Sequence, residues 1–94
     1  MIVYNLVMSK TEVKPITVQV VDLQTSETVE GAEVVHTPPS GEDALTIDGT
    51  VDTPYINMLF GPFEVAGQHY VKVRAIGSDG SEPEVLYSIE VKPI

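Results

Sequence analysis

The groups best equipped for chemistry are His36 and His69, two imidazoles in a 94-residue chain that has no cysteine. An imidazole serves as a general base or a metal ligand, but either role needs partners: an orienting carboxylate, a nucleophile or further ligands. Ser40 lies four residues after His36 but in no nucleophile elbow. Glu82 and Glu84 flank Pro83 as paired carboxylates, in a turn where no pocket is implied. The acids of "SGEDALTIDGTVD" invite a calcium reading, because hard cations want several carboxylate oxygens close together. Asp43, Asp48 and Asp52 fall on no D-x-D-x-D-G frame, so residues 42–52 are expected to form a solvated acidic loop, with calcium as the alternative. Glycine-rich phosphate loops are absent. No catalytic, cofactor or metal residue is expected, and the chain is expected not to be an enzyme.

The elements that carry these residues follow from periodicity. In "AGQHYVKVRAIGSDG" (66–80) the side chains of an extended strand point to opposite faces in turn. His69, Val71, Val73 and Ala75 then face inward, while Tyr70, Lys72 and Arg74 face outward. His69 begins the buried side two residues after Gly67, where sandwich domains place the tyrosine that hydrogen-bonds back across a strand corner. An imidazole makes a similar bond. Gly67 and His69 are therefore expected to form a structural corner, with His36 apart on another strand and no acid at a fixed spacing.

Strand pairing sets the outward residues beside Leu86, Ser88, Glu90 and Lys92 of the last strand. The resulting face is mixed and partly apolar. It reads as an ordinary solvated sheet or, because Tyr and Arg are enriched at interfaces, as a docking face built on Tyr70, Lys72, Arg74, Leu86 and Ser88.

Short alternating runs bounded by Gly, Pro, Asp or Ser predict strands near Ile2–Met8, Ile16–Asp22, Ala32–Thr37, Tyr55–Phe60, Tyr70–Ile76 and Glu84–Val91, with a weaker one at Ala44–Ile47. Val (15), Thr (8) and Ile (7) make up nearly a third of the chain, a composition suited to pleated surfaces. Pro15, Pro54 and Pro83 precede runs, and Pro93 follows the last. "QTSETVEG" and "GSDGSEP" read as turns with Gly31 and Gly80 available for positive φ, as do Asp48-Gly49 and Asp79-Gly80. "HTPPSGED" reads as a longer loop. The fold expected is a single all-β domain over residues 1–94, an immunoglobulin-like sandwich of about seven antiparallel strands, with a small closed barrel as the alternative.

Without cysteine, stability must come from packing. The net charge is −9, and between Lys14 and Lys72 nine acids occur with no Lys or Arg. A phosphate backbone demands clustered cations, so nucleic acid is not expected as a partner. The acidity reads as a solubility device, with a docking surface for a basic partner as the alternative. No apolar stretch approaches membrane-spanning length, and the first residues show neither a basic region ahead of an apolar run nor a small-residue cleavage site. With Met1 as the native start, secretion by the usual route is not expected.

Two stretches, "TVQVVDLQTSETVEGAEVVHTPPSGEDALTIDG" and "GPFEVAGQHYVKVRAIGSDGSEPEVLYSIEV", resemble the small Ig-like proteins of tailed bacteriophages, and more loosely the bacterial Ig-like and PKD-type modules. The resemblance rests on the A-G-x-H-x-V-x-V run at Ala66 to Val73, the "HTPPSG" loop at His36 to Gly41, and the last strand. It implies a virion component, such as a capsid decoration or a head or tail accessory protein, assembled in the host cytoplasm. The implied partner is a phage capsid or tail protein, with a homo-oligomer of the chain as a further option. No capsid-binding motif matches, so no binding position is carried over. An Ig-like module of a bacterial cell-surface or adhesion protein is the alternative.

Overall fold

The computed structural model describes residues 2–19, 29–78 and 80–93. Seven strands run in order: β1 (Ile2–Ser9), β2 (Lys14–Gln19), β3 (Val29–Thr37), β4 (Thr50–Asp52), β5 (Tyr55–Phe60), β6 (Gly67–Gly77) and β7 (Glu84–Lys92). They form a four-stranded sheet, β1-β7-β6-β3, and a three-stranded sheet, β2-β5-β4. The two sheets pack as a seven-stranded β-sandwich.

Alternation decides which side of each strand is buried. Along β5, Ile56, Met58 and Phe60 are buried while Tyr55, Asn57 and Leu59 are exposed. Along β6, His69, Val71, Val73 and Ala75 are buried, and Gln68, Tyr70 and Lys72 are exposed. β7 adds Tyr87, Ile89 and Val91 to the same core. Phe60, Phe63, Ile56, Val71 and Ile89 are completely buried, and each such side chain contributes about 1.5–3 kcal/mol relative to an exposed one. Phe63, from the connection between β5 and β6, meets Phe60 edge to face with centroids 6.4 Å apart. Phe60 in turn stands on Tyr87 at 5.1 Å and 87°.

The pairing departs from the all-antiparallel expectation in one place. β1 pairs with β7 in parallel, in an unbroken register from Ile2↔Val85 to Ser9↔Lys92, while the other ladders are antiparallel. Alternation reports a strand's faces but not its direction, so the sequence pattern is blind to this choice.

Other expectations are corrected locally. Residues 44–47 are not a strand; the fourth strand is Thr50–Asp52, entered through an irregular segment that includes Asp48 and Gly49. Gly31 lies within β3, where the register to β6 shifts between Val29 and Gly31, and its φ is not positive. That placement is a bulge rather than a turn. Pro15 sits inside β2 rather than ahead of it, tolerable because β2 is an edge strand and a missing N–H costs least there. Gly80 has φ of 88° as a turn requires. Residues 20–22 of the second expected strand, residues 24–28 of the expected turn and Asp79 lie outside the described residues.

Candidate functional site

Two regions hold the residues singled out by the sequence: the strand corner around His69, and the outer face of the four-stranded sheet.

At the corner, β3 and β6 run antiparallel with His36 opposite Val71, which leaves His69 one diagonal step from His36 on the same inward face. Diagonal neighbours lie within reach of long side chains. The two rings meet, with His36 Nε2 2.9 Å from His69 Nδ1 and planes only 4° apart. The expectation that His36 stands apart from His69 is thereby overturned. Both imidazoles are buried, at 5% and 2% exposure.

Their proton positions follow from what surrounds them. The Leu45 N–H donates to His36 Nδ1 at 2.8 Å, so that nitrogen carries a lone pair and the proton of neutral His36 is on Nε2. His69 Nε2 lies 2.7 Å from the Val65 carbonyl oxygen, which only accepts, so it must carry a proton. A single consistent chain results: Leu45 N–H to His36, His36 Nε2–H to His69 Nδ1, and His69 Nε2–H to Val65. The chain joins the loop after β3, two strands and the segment before β6.

All four ring nitrogens are engaged, so neither imidazole offers a lone pair to a metal or a substrate. Adding a proton to His36 would set two donors against each other at Leu45. Burial, and next the neighbouring His69, push the His36 pKa below its ordinary value. Phe63 packs on both rings, with centroids 5.1 Å from His36 and 4.9 Å from His69. Gly67, at φ of 128°, completes the corner: a methyl added there would sit 3.2 Å from Pro39 Cγ, so glycine lets the Pro-Pro loop close over β6.

A cleft of about 490 Å³ opens beside this corner, with His36, Phe63 and His69 among its lining and Glu42, Asp43 and Glu64 exposed at its rim. Among the described residues no group of three His, Asp or Glu side chains converges as metal ligands would. Asp43, Asp48 and Asp52 are each exposed, spread over the loop and β4. Ser40 is exposed at the turn after Pro39.

On the outer face, register places Tyr70 opposite Ser88, Lys72 opposite Leu86 and Arg74 opposite Glu84. The expected face is thus assembled as one surface, and β3 extends it with Glu33 and Val35, set opposite Arg74 and Lys72. Sequence reasoning omitted β3 here, although the alternation that turns His36 and Val34 inward turns Val35 and Glu33 outward. The cations are already partnered: Arg74 Nη2 donates to Glu33 Oε2 at 2.6 Å and Nη1 lies 3.9 Å from Glu82, while Lys72 Nζ lies 3.9 Å from Glu84. Gln68 Nε2 donates to Ser88 Oγ at 2.7 Å. Beside these pairs stand the apolar groups Val35 and Tyr70, 45% and 41% exposed, and along the β1 edge Val3 and Val7, at 50% and 58%.

Comparison with known proteins finds no family model that matches the chain and no curated relative.

Proposed function

We propose that this chain is a non-enzymatic structural and interaction module of a phage or prophage particle, a capsid decoration or head or tail accessory protein. It docks on a capsid or tail protein through the uncovered face of the β1-β7-β6-β3 sheet. The observation that carries this reading is the division of labour between the two sheet surfaces. The imidazoles, which are the groups able to do chemistry, spend every ring nitrogen on holding a loop to the corner. The outer face meanwhile exposes four apolar side chains, Val35 and Tyr70 beside neutralised ion pairs and Val3 and Val7 along the β1 edge. Such a surface offers apolar contact with little net charge to desolvate, a composition suited to protein docking. A repeating particle surface would convert modest single contacts into retention by multivalency. Assembly would take place in the host cytoplasm, with neither nucleic acid nor membrane as a direct partner.

The test is cosedimentation of the purified chain with capsids and with tails, alongside a Y70A/L86E variant whose circular dichroism matches the parent. The expected result is that the parent travels with one particle component and the variant stays in the supernatant. A parent chain that ignores every particle component would overturn the proposal.

A further inference from the structure

A sheet edge displays unpaired N–H and C=O groups, and proteins usually blunt it with a charge, a proline, a bulge or brevity. Among the described residues the sandwich has four edge strands, and three carry such devices. β2 holds Lys14 and Pro15, β3 has a bulge and exposed Glu30 and Glu33, and β4 is three residues long and ends in Asp52. β1 has none of them. Its eight residues, IVYNLVMS, contain no charge, proline or glycine, and it pairs on one side only, with β7, without a register break.

The order of residues in β1 narrows what covers it. Read in either direction from Asn5, the strand is matched in kind: Leu6 answers Tyr4, Val7 answers Val3, and Met8 answers Ile2. In an antiparallel pair of identical strands centred on Asn5, the positions of opposed residues sum to the same number. Each opposed pair therefore shares a face of the sheet, as the two-residue period demands. Val3 then faces the partner copy's Val7 on the outer surface, Tyr4 faces Leu6 on the inner one, and Asn5 meets Asn5 on the axis. Like-sized apolar pairs at directly opposed positions are the stabilising unit of a sheet. A twofold axis makes one self-matching strand sufficient for a closed interface. The pairing ends near Met8, because the Ser9 N–H already donates to Glu12 Oε1 at 3.3 Å.

We propose that two copies of this chain pair antiparallel through β1, joining their four-stranded sheets into one sheet of eight strands. The inference is independent of the particle on which the chain docks.

Sedimentation equilibrium of the purified chain tests it without any particle component. The expected mass is twice 10.2 kDa, the mass of one chain. V3K/V7K places like charges opposite each other across the axis on side chains that are half exposed in one copy, so the fold should persist by circular dichroism while the mass halves. V3K mixed with V7E should form a mixed dimer more tightly than either variant pairs with itself, because the axis sets the new ammonium opposite the new carboxylate. A parent chain that stays at 10.2 kDa at every concentration would overturn the proposal, as would a dimer that V3K/V7K leaves intact.

Discussion

His36 and His69 lie on neighbouring strands with Nε2 of one ring 2.9 Å from Nδ1 of the other, and the flanking Leu45 N–H and Val65 carbonyl fix both rings as neutral Nε2–H tautomers. Because the chain has one consistent set of donors, removing a link leaves a buried polar group without a partner. His69→Ala strands the His36 Nε2–H and opens a cavity under Phe63, and should cost about 2–4 kcal/mol in denaturant unfolding. Nitrogen-detected NMR of the parent should show both imidazoles in the Nε2–H form; an Nδ1–H signal from either would contradict the assignment.

The same contact predicts how stability responds to acid. The pKa of folded His36 is held below its ordinary value, chiefly by burial and next by His69, so between the two values the unfolded chain binds more protons than the folded one. Stability is then complete above the unfolded value of about 6.5 and declines as pH falls below it. Glu42, Asp43 and Glu64 at the cleft rim are exposed, and the ring nitrogens take their hydrogen bonds from Leu45, Val65 and each other instead. Urea midpoints measured from about pH 7 to about pH 5 should fall for the parent. They should be flatter for H36A, which starts from lower stability.

Gly61 predicts a backbone effect. Its φ is 95°, and a methyl group added there would overlap the Glu12 carbonyl oxygen, which is main chain and has little freedom to give. Gly61→Ala should cost about 2–4 kcal/mol, combining positive-φ strain with the displaced turn between β1 and β2. Gly80→Ala, at φ of 88° with open space around the new methyl, should cost only the strain, about 1–2 kcal/mol. Thermal unfolding of the two variants side by side checks the difference; equal losses would remove the role assigned to the Glu12 contact.

Tyr87 provides an alkaline marker of the packed core. Its ring stacks on Tyr4 at 5.1 Å, and burial, reinforced by Tyr4, pushes the phenol up to about 12. The folded chain then holds a proton that the unfolded chain releases near pH 10, so this group's contribution to stability falls as pH rises past about 10. In a tyrosinate absorbance titration, Tyr87→Phe should delete a step near 12. A parent whose tyrosines all titrate near 10 would show that Tyr87 is not packed as described.

Where one strand face is fully buried, the sequence pattern was sufficient. β5 shows strict alternation from Tyr55 to Phe60, and the inward set of β6 from His69 to Ala75 is the set the structure buries. The outer positions Tyr70, Lys72, Arg74, Leu86 and Ser88 come together because two antiparallel neighbours share a pleat, which a hairpin-like spacing already implies. Relations set by register between distant strands were illegible. The His36 to His69 contact needs the β3 to β6 offset, and the parallel β1 to β7 ladder joins segments more than 70 residues apart. Residues 44–47 misled for a local reason: the alternation of Leu45 and Ile47 is that of a strand, but the Leu45 N–H is spent on His36 Nδ1 rather than on a ladder, and Ile47 reaches the core from a loop.

The side-by-side course of β1 and β7 decides how the domain would bear tension. Ile2 lies level with Val85 and Ser9 with Lys92, so a pull that separates Ile2 from Lys92 drags the two strands lengthwise past each other. Every bond of that ladder is then loaded together instead of being opened one by one from an end. Rupture therefore needs the whole ladder to fail at once, and the force endured follows the barrier to unfolding rather than the equilibrium between folded and unfolded chains.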